Sequence, residues 1–386
     1  MENTVADGIP AYESMSAGVR KMRDFYAMKP DAGIYQREFF GFYSMDRWKD
    51  EGHIPRDATS EYLDELFGFD PHGKLMLGNL GWCEPSFFPL FDEKVLVSSG
   101  DYEIVQDTAG REVKCFTNRR SGFMPEYIGH PVTDMKSWEE KCLWRMDPNS
   151  PERTRDIEDT ICEAKIAASE GKIIVVNVIG GYMYLRSIIG PVDVMYMLYD
   201  QPEVIHACMK AWFDLADSVI ARYQRQIVID ELYFGEDICY NHGLLISEDM
   251  VREFLFPYYS QLLGNMRARQ RGKDRRIIFH LDTDGNHESA IKLYREIGMS
   301  YIDPFEVASG CDVVRTGREY PDLLMGGGID KRILAESPDA IDREIRRIMP
   351  AMKRRGGYIP TCDHGVPEEV SFENYMHFRK RMLEYA

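Results

Sequence analysis

Three short stretches, far apart in the chain, carry residues that bind metals or move protons: His280-Leu281-Asp282-Thr283-Asp284-Gly285, Pro304-Phe305-Glu306 and Cys362-Asp363-His364-Gly365. Each follows a run that reads as a buried strand. His280 and Asp282 are spaced i and i+2, so on a strand they point the same way. Imidazole, carboxylate and thiolate are all zinc ligands, and a catalytic zinc keeps one position open for substrate. These residue types suit a metal site drawn from His280, Asp282, Glu306, Cys362 and His364. The plainer alternative is that His280 and Asp282 form a hydrogen-bonded pair and Cys362 is a buried thiol.

Further candidates surround these three stretches. His364, on a loop constrained by Gly365 and Pro367, could act as acid, base or substrate ligand. Asp237 and Asp282 are the other candidates for proton transfer. Arg186 and Tyr184 follow the Gly180-Gly181 turn and, with Glu236, Asn241 and Asp284, could line a substrate pocket. Asp284-Gly285 equally suits a turn that caps the following helix. Asp363 could orient His364 or cap a turn. Gly326-Gly327-Gly328 ends a strand and could admit a cofactor or anion to the backbone, or form a tight strand-to-helix turn with Asp330 as cap. Arg37, Phe39, Phe40, Tyr43 and Trp48 suggest an arm folding over the mouth of the site, or simple packing against the fold.

These residues need a scaffold that brings distant strand ends together. Eight candidate strands occur near residues 75, 173, 228, 277, 301, 313, 323 and 358, and helical segments separate many of them. Buried strands alternating with helices favour a parallel sheet, and eight favour a closed (β/α)8 barrel, whose functional groups lie at the C-terminal strand ends. No Gly-x-Gly-x-x-Gly fingerprint follows an early strand, so a dinucleotide-binding fold is disfavoured. Residues 1–70 read as an N-terminal helical arm, and residues 100–118 as a β-hairpin excursion. No linker divides the 386 residues, so one domain is expected.

Composition narrows the partners. The net charge of -17, with 64 acidic against 47 basic residues, disfavours nucleic acid. No apolar run reaches membrane-spanning length. Eight cysteines without Cys-x-x-Cys spacing suit reduced thiols and a cytoplasmic location.

Taken together, several co-linear segments resemble the uroporphyrinogen decarboxylase superfamily. They include residues 39–55 around Trp48 and Gly52, 186–200, 236–250, 280–286, 304–310, 326–330 and 356–374. Within it the pattern is more similar to the corrinoid-linked methyltransferases than to the haem-pathway decarboxylase. The decarboxylase carries a segment of the type Met-Arg-Gln-Ala-Gly-Arg that grips substrate carboxylates, and Tyr35-Gln36-Arg37-Glu38 is a poor substitute for it. The late His364-Gly365 is nevertheless similar to one in that enzyme. In the methyltransferase branch, zinc is bound through His-x-Cys, in some members a glutamate after the next strand, and a late cysteine. The resemblance implies these roles for His280, Glu306 and Cys362, with Asp282 standing where the first cysteine would be, a harder and more oxygen-rich set. It implies a zinc-dependent methyltransferase acting between a small methylated or methoxylated substrate and a corrinoid. With no Asp-x-His-x-x-Gly element in this chain, the corrinoid would come from a partner protein. Dimerisation is common in the family. The alternatives are a metal-free decarboxylase acting on a tetrapyrrole or polycarboxylate, and a binder of such a ligand without turnover.

Overall fold

The structure, a computed structural model, describes residues 9–41, 43–117, 125–272 and 275–386. Its centre is one parallel sheet of seven strands: β1 (Lys74–Leu77), β2 (Ile173–Ile179), β3 (Glu231–Gly235), β4 (Ile278–Asp282), β5 (Met299–Phe305), β6 (Leu324–Gly327) and β7 (Tyr358–Ile359). Each pairs with the next in chain order. Outward side chains such as Leu232, Phe234, Phe279, Leu281 and Ile302 are buried under the surrounding helices, in the main hydrophobic core. Inward positions alternate with them.

The sheet is strongly curled. Lys74 on β1 contacts Glu231 on β3 at 3.2 Å, and its ammonium lies 5.2 Å from the Tyr301 ring centroid on β5. In a flat sheet, four strand spacings would separate β1 and β5 by about 19 Å. The expected eighth strand does not form near 313: Val313–Glu319 is a helix, capped by Asp312, which accepts from the Arg315 amide at 2.7 Å. Two β-branched valines suggested a strand there, and the cap outweighs them. The sheet thus has seven strands joined by six ladders among the described residues, in place of the complete eightfold barrel expected from sequence. Residues 34–41 sit between the two sheet edges. Gln36 exchanges hydrogen bonds with Asp70 at 2.8 Å, while the Gly41 amide donates to the Val366 carbonyl and the Val366 amide to the Phe39 carbonyl, both at 2.9 Å.

The N-terminal helix Ala17–Tyr26 lies at the opposite end from the strand termini that carry the site. Its Met22 and Phe25, with Tyr35, pack on the first luminal residues of the strands, among them Ile173, Ile278 and Leu324. The excursion exceeds a hairpin: Lys94–Ser99, Tyr102–Gln106, Glu112–Phe116 and Glu126–Gly129 form a four-stranded antiparallel sheet. Among the described residues no helix is long and apolar enough to cross a membrane.

Candidate active site

At the C-terminal ends of β4, β5 and β7 the chain brings Asp284, Glu306 and His364 together, with one ligand atom from each lying within 4.8 Å of the others. His364 Nε2 is 3.3 Å from Asp284 Oδ2. That hydrogen bond holds the imidazole above its ordinary pKa, against the opposing effect of burial. Glu306 is held by the Gly285 amide, which donates to Oε2 at 2.8 Å, and by Ser309 Oγ at 3.3 Å. Its Oε1 lies 3.9 Å from Lys331 Nζ. Asp363 ties the adjoining loops by accepting from the Val307 and Lys331 amides at 3.0 and 3.2 Å. It caps turns and makes no contact that would orient His364. Donor atoms sharing one ion at about 2.0–2.2 Å can be at most about 4.3 Å apart, so a small adjustment would let these three hold a divalent cation. Two carboxylates and one imidazole are compatible with zinc.

The set predicted from sequence is not assembled. Glu306 is present, but His280 lies deeper in the lumen. Its Nδ1 is 2.8 Å from Glu231 and its Nε2 is 2.7 Å from Asp303. Burial disfavours the cation, yet these two carboxylates raise His280 to about 9. With both nitrogens carrying protons, neither has a lone pair for a metal. Cys362 is buried in the apolar core, and burial drives its thiol well above its ordinary pKa. The plainer arrangement of these two residues is the one observed, except that His280 pairs with Asp303 rather than Asp282.

Asp282 is the cross-strand neighbour of Asp303. Burial pushes its carboxyl up to about 7, and it accepts from the Tyr233 hydroxyl, while Trp82 Nε1 lies 3.4 Å away. Arg186 pairs with Asp237 at 2.8 Å, and Asp237 Oδ1 accepts from the Asp284 amide at 3.3 Å. These two residues therefore brace the first member of the cluster. Three expected substrate residues lie elsewhere. Tyr184 is fully buried, with no partner for its hydroxyl. Glu236 is fully buried under the Tyr259 and Tyr294 hydroxyls. Asn241 is exposed at the tip of a two-strand turn between Cys239–Tyr240 and Gly243–Leu244. The glycines at 326–328 serve close packing. A Cβ on Gly326 would lie 2.9 Å from Asp303, and Gly327 and Gly328 have positive φ (87° and 83°) in the turn against Pro304-Phe305 and Val313. Asp330 caps the helix that follows. Phe40 and Trp48 of the arm pack into an aromatic cluster with Phe67 and Tyr375, and Phe39 alone of these three is exposed, near His364.

Sequence reasoning passed over Asp303, Lys74 and Trp82, and gave Glu231 at most a structural part. A signal existed: Glu231/Tyr233, His280/Asp282 and Tyr301/Asp303 are three i, i+2 polar pairs, interleaved with Leu232, Phe279, Leu281 and Ile302. Such alternation places a polar face inside the curl of the sheet.

A model of the uroporphyrinogen decarboxylase (URO-D) family matches residues 122–385. The chain belongs to the URO-D family. The uroporphyrinogen decarboxylase of Cellvibrio japonicus (strain Ueda107) is 26% identical over 180 residues, 46% of this chain and 47% of that protein. That of Vesicomyosocius okutanii subsp. Calyptogena okutanii (strain HA) is 24% identical over 191 residues, 46% of this chain and 48% of that protein. The chain thus spans about half the length of the curated relatives it matches. A solved methyltransferase from Methanosarcina mazei superposes with a TM-score of 0.58 at 12% identity, covering 96% of this chain and 99% of its own. At that identity the likeness is one of fold, which a URO-D family member shares with this methyltransferase.

Proposed function

We propose that this URO-D family member is a metal-dependent methyltransferase, moving a methyl group between a small methylated or methoxylated substrate and a corrinoid carried by a partner protein. The observation that carries the reading is the convergence of Asp284, Glu306 and His364 at three strand ends. A zinc-type cation held there supplies Lewis acidity towards a substrate oxygen or sulfur. Gly285 and Ser309 fix the Glu306 carboxylate, and the Arg186–Asp237 pair fixes the backbone of Asp284. Lys331, beside Glu306, offsets part of the negative charge.

The second reading, a metal-free decarboxylase, is favoured by the half-exposed His364 beside Gly365 and by the names of the curated relatives. Electrostatics weighs against it. Asp237, Asp282, Asp284 and Glu306 crowd the mouth, and Arg186 is already paired with Asp237. A polycarboxylate would meet net repulsion there, whereas a cation would be attracted.

Metal analysis of the purified chain tests the proposal. We expect about one zinc per chain, lost in Asp284→Ala and Glu306→Ala but retained in Cys362→Ala. No metal in the wild type after zinc supplementation refutes it.

A further inference from the structure

Directly beneath the rim cluster, the lumen has an unusual combination of open space, aromatic faces and fixed negative charge. Lys74 and Met76 alternate on β1, and because Lys74 reaches Glu231 inside the curl, Met76 also faces inward. Met76 and Trp82 keep 49% and 50% of their surface accessible, so the space beside them is open. Two luminal positions at this level are glycines. A Cβ on Gly235 would lie 2.7 Å from the Trp82 ring, and one on Gly326 would meet Asp303. Larger residues at either position would close the space.

Asp303 faces this opening. Its Oδ1 contacts His280 and its Oδ2 accepts from the Tyr301 hydroxyl at 3.0 Å, yet 27% of its side chain remains accessible. The His280 cation keeps it ionised in spite of burial. Asp282 and Tyr233 on the neighbouring strands, with Trp82 in the loop after β1, complete the wall. Lower in the lumen the same chemistry is already in use. The Lys74 ammonium sits 5.3 and 5.2 Å from the Tyr26 and Tyr301 ring centroids, beside the Glu231 carboxylate. Three carboxyl groups, Glu231, Asp282 and Asp303, face two cations, Lys74 and His280, and both cations already contact carboxylates, so an anionic group would find neither free.

We propose that this luminal opening receives the cationic end of the substrate, an ammonium-bearing small molecule whose other end presents an oxygen or sulfur to the rim. The inference rests on the metal-site reading for that second contact. Asp303 supplies the counter-charge, Trp82 and Tyr233 supply aromatic faces, and His280 is a positioning residue that holds Asp303 in place.

The test is calorimetric titration of the zinc-loaded full chain with choline and with its uncharged isostere 3,3-dimethyl-1-butanol, alongside zinc stoichiometry. Choline should bind about tenfold or more tightly than the isostere. Asp303→Asn should erase most of that preference. Met76→Lys, which places an ammonium in open space and does not disturb the His280 network, should erase it as well. Both variants should keep the wild-type zinc content. Equal binding of the two probes, no binding of choline at millimolar concentration, or an unchanged preference in both variants overturns the subsite. A wild type that prefers choline but holds no zinc overturns the metal reading and leaves the cation subsite standing.

Discussion

Replacing Glu236 by glutamine should alter the pH dependence of stability more than any other conservative change near the site. The carboxyl is fully buried at the start of the helix Gly181–Ile189. Burial pushes it up to about 8, against the opposing effect of hydrogen bonds from the Tyr259 and Tyr294 hydroxyls and the Tyr182 amide. In the unfolded chain the same group titrates at its ordinary value of about 4.5. Its folded pKa is raised, so its contribution is fully present below pH 4.5 and is lost as pH rises towards 8. Above pH 8 both states are ionised and the difference is constant. Each pH unit in that window costs about 1.4 kcal/mol, and the full window costs about 5 kcal/mol. This is a large fraction of a typical folding free energy of about 5–15 kcal/mol. Glu236→Gln keeps the shape and cannot ionise. Urea midpoints of the two proteins, measured from pH 5 to pH 9, should therefore diverge steadily in favour of the variant up to about pH 8 and then run parallel. Parallel profiles across the whole range would show that Glu236 is ionised when folded, and would refute the desolvation argument.

The remaining predictions concern residues whose roles the structure reassigns. His280→Ala leaves Glu231 and Asp303 without the cation between them and should cost about 3–5 kcal/mol in urea unfolding, with His280→Gln recovering part of the loss. A cost below about 1 kcal/mol would be inconsistent with a buried ion triad. Tyr184→Phe removes a buried hydroxyl that has no partner, so stability should change by less than about 1 kcal/mol and ligand affinity should not move. A marked loss of affinity would return Tyr184 to the pocket.

Much of the scaffold was legible because buried parallel strands announce themselves. Residues 173–179 form an almost unbroken apolar run, and long helical patterns such as Pro202–Gln224 separate such runs. The strand count fails near 313, where local pattern and tertiary context disagree. Val313-Val314 enters a helix through the Asp312 cap, and residues 34–41 bridge the sheet edges without forming a regular ladder. Glu306 was identifiable as a rim residue because it follows β5 directly, and His364 because it lies in the loop that leaves β7. Asp284 was given to turn formation and substrate contact, since Asp-Gly is also an ordinary turn pair.

His280 illustrates why the rest was not readable. Sequence parity places a residue on the luminal face, but it does not give height within the lumen. His280 and Asp284 share parity and lie four residues apart, which along a strand amounts to about 13 Å. At the lower level the neighbours are Glu231, Tyr301 and Asp303. At the upper level they are Glu306 and His364. Those neighbours come from other strands, so only the cross-strand register, His280 opposite Tyr301 and Asp282 opposite Asp303, decides which histidine is locked between two carboxylates. The lower histidine is held as a cation by two carboxylates and serves to fix the charge of Asp303. The upper histidine is hydrogen-bonded to one carboxylate, Asp284, at a solvent-facing rim, where it stays open to an incoming group.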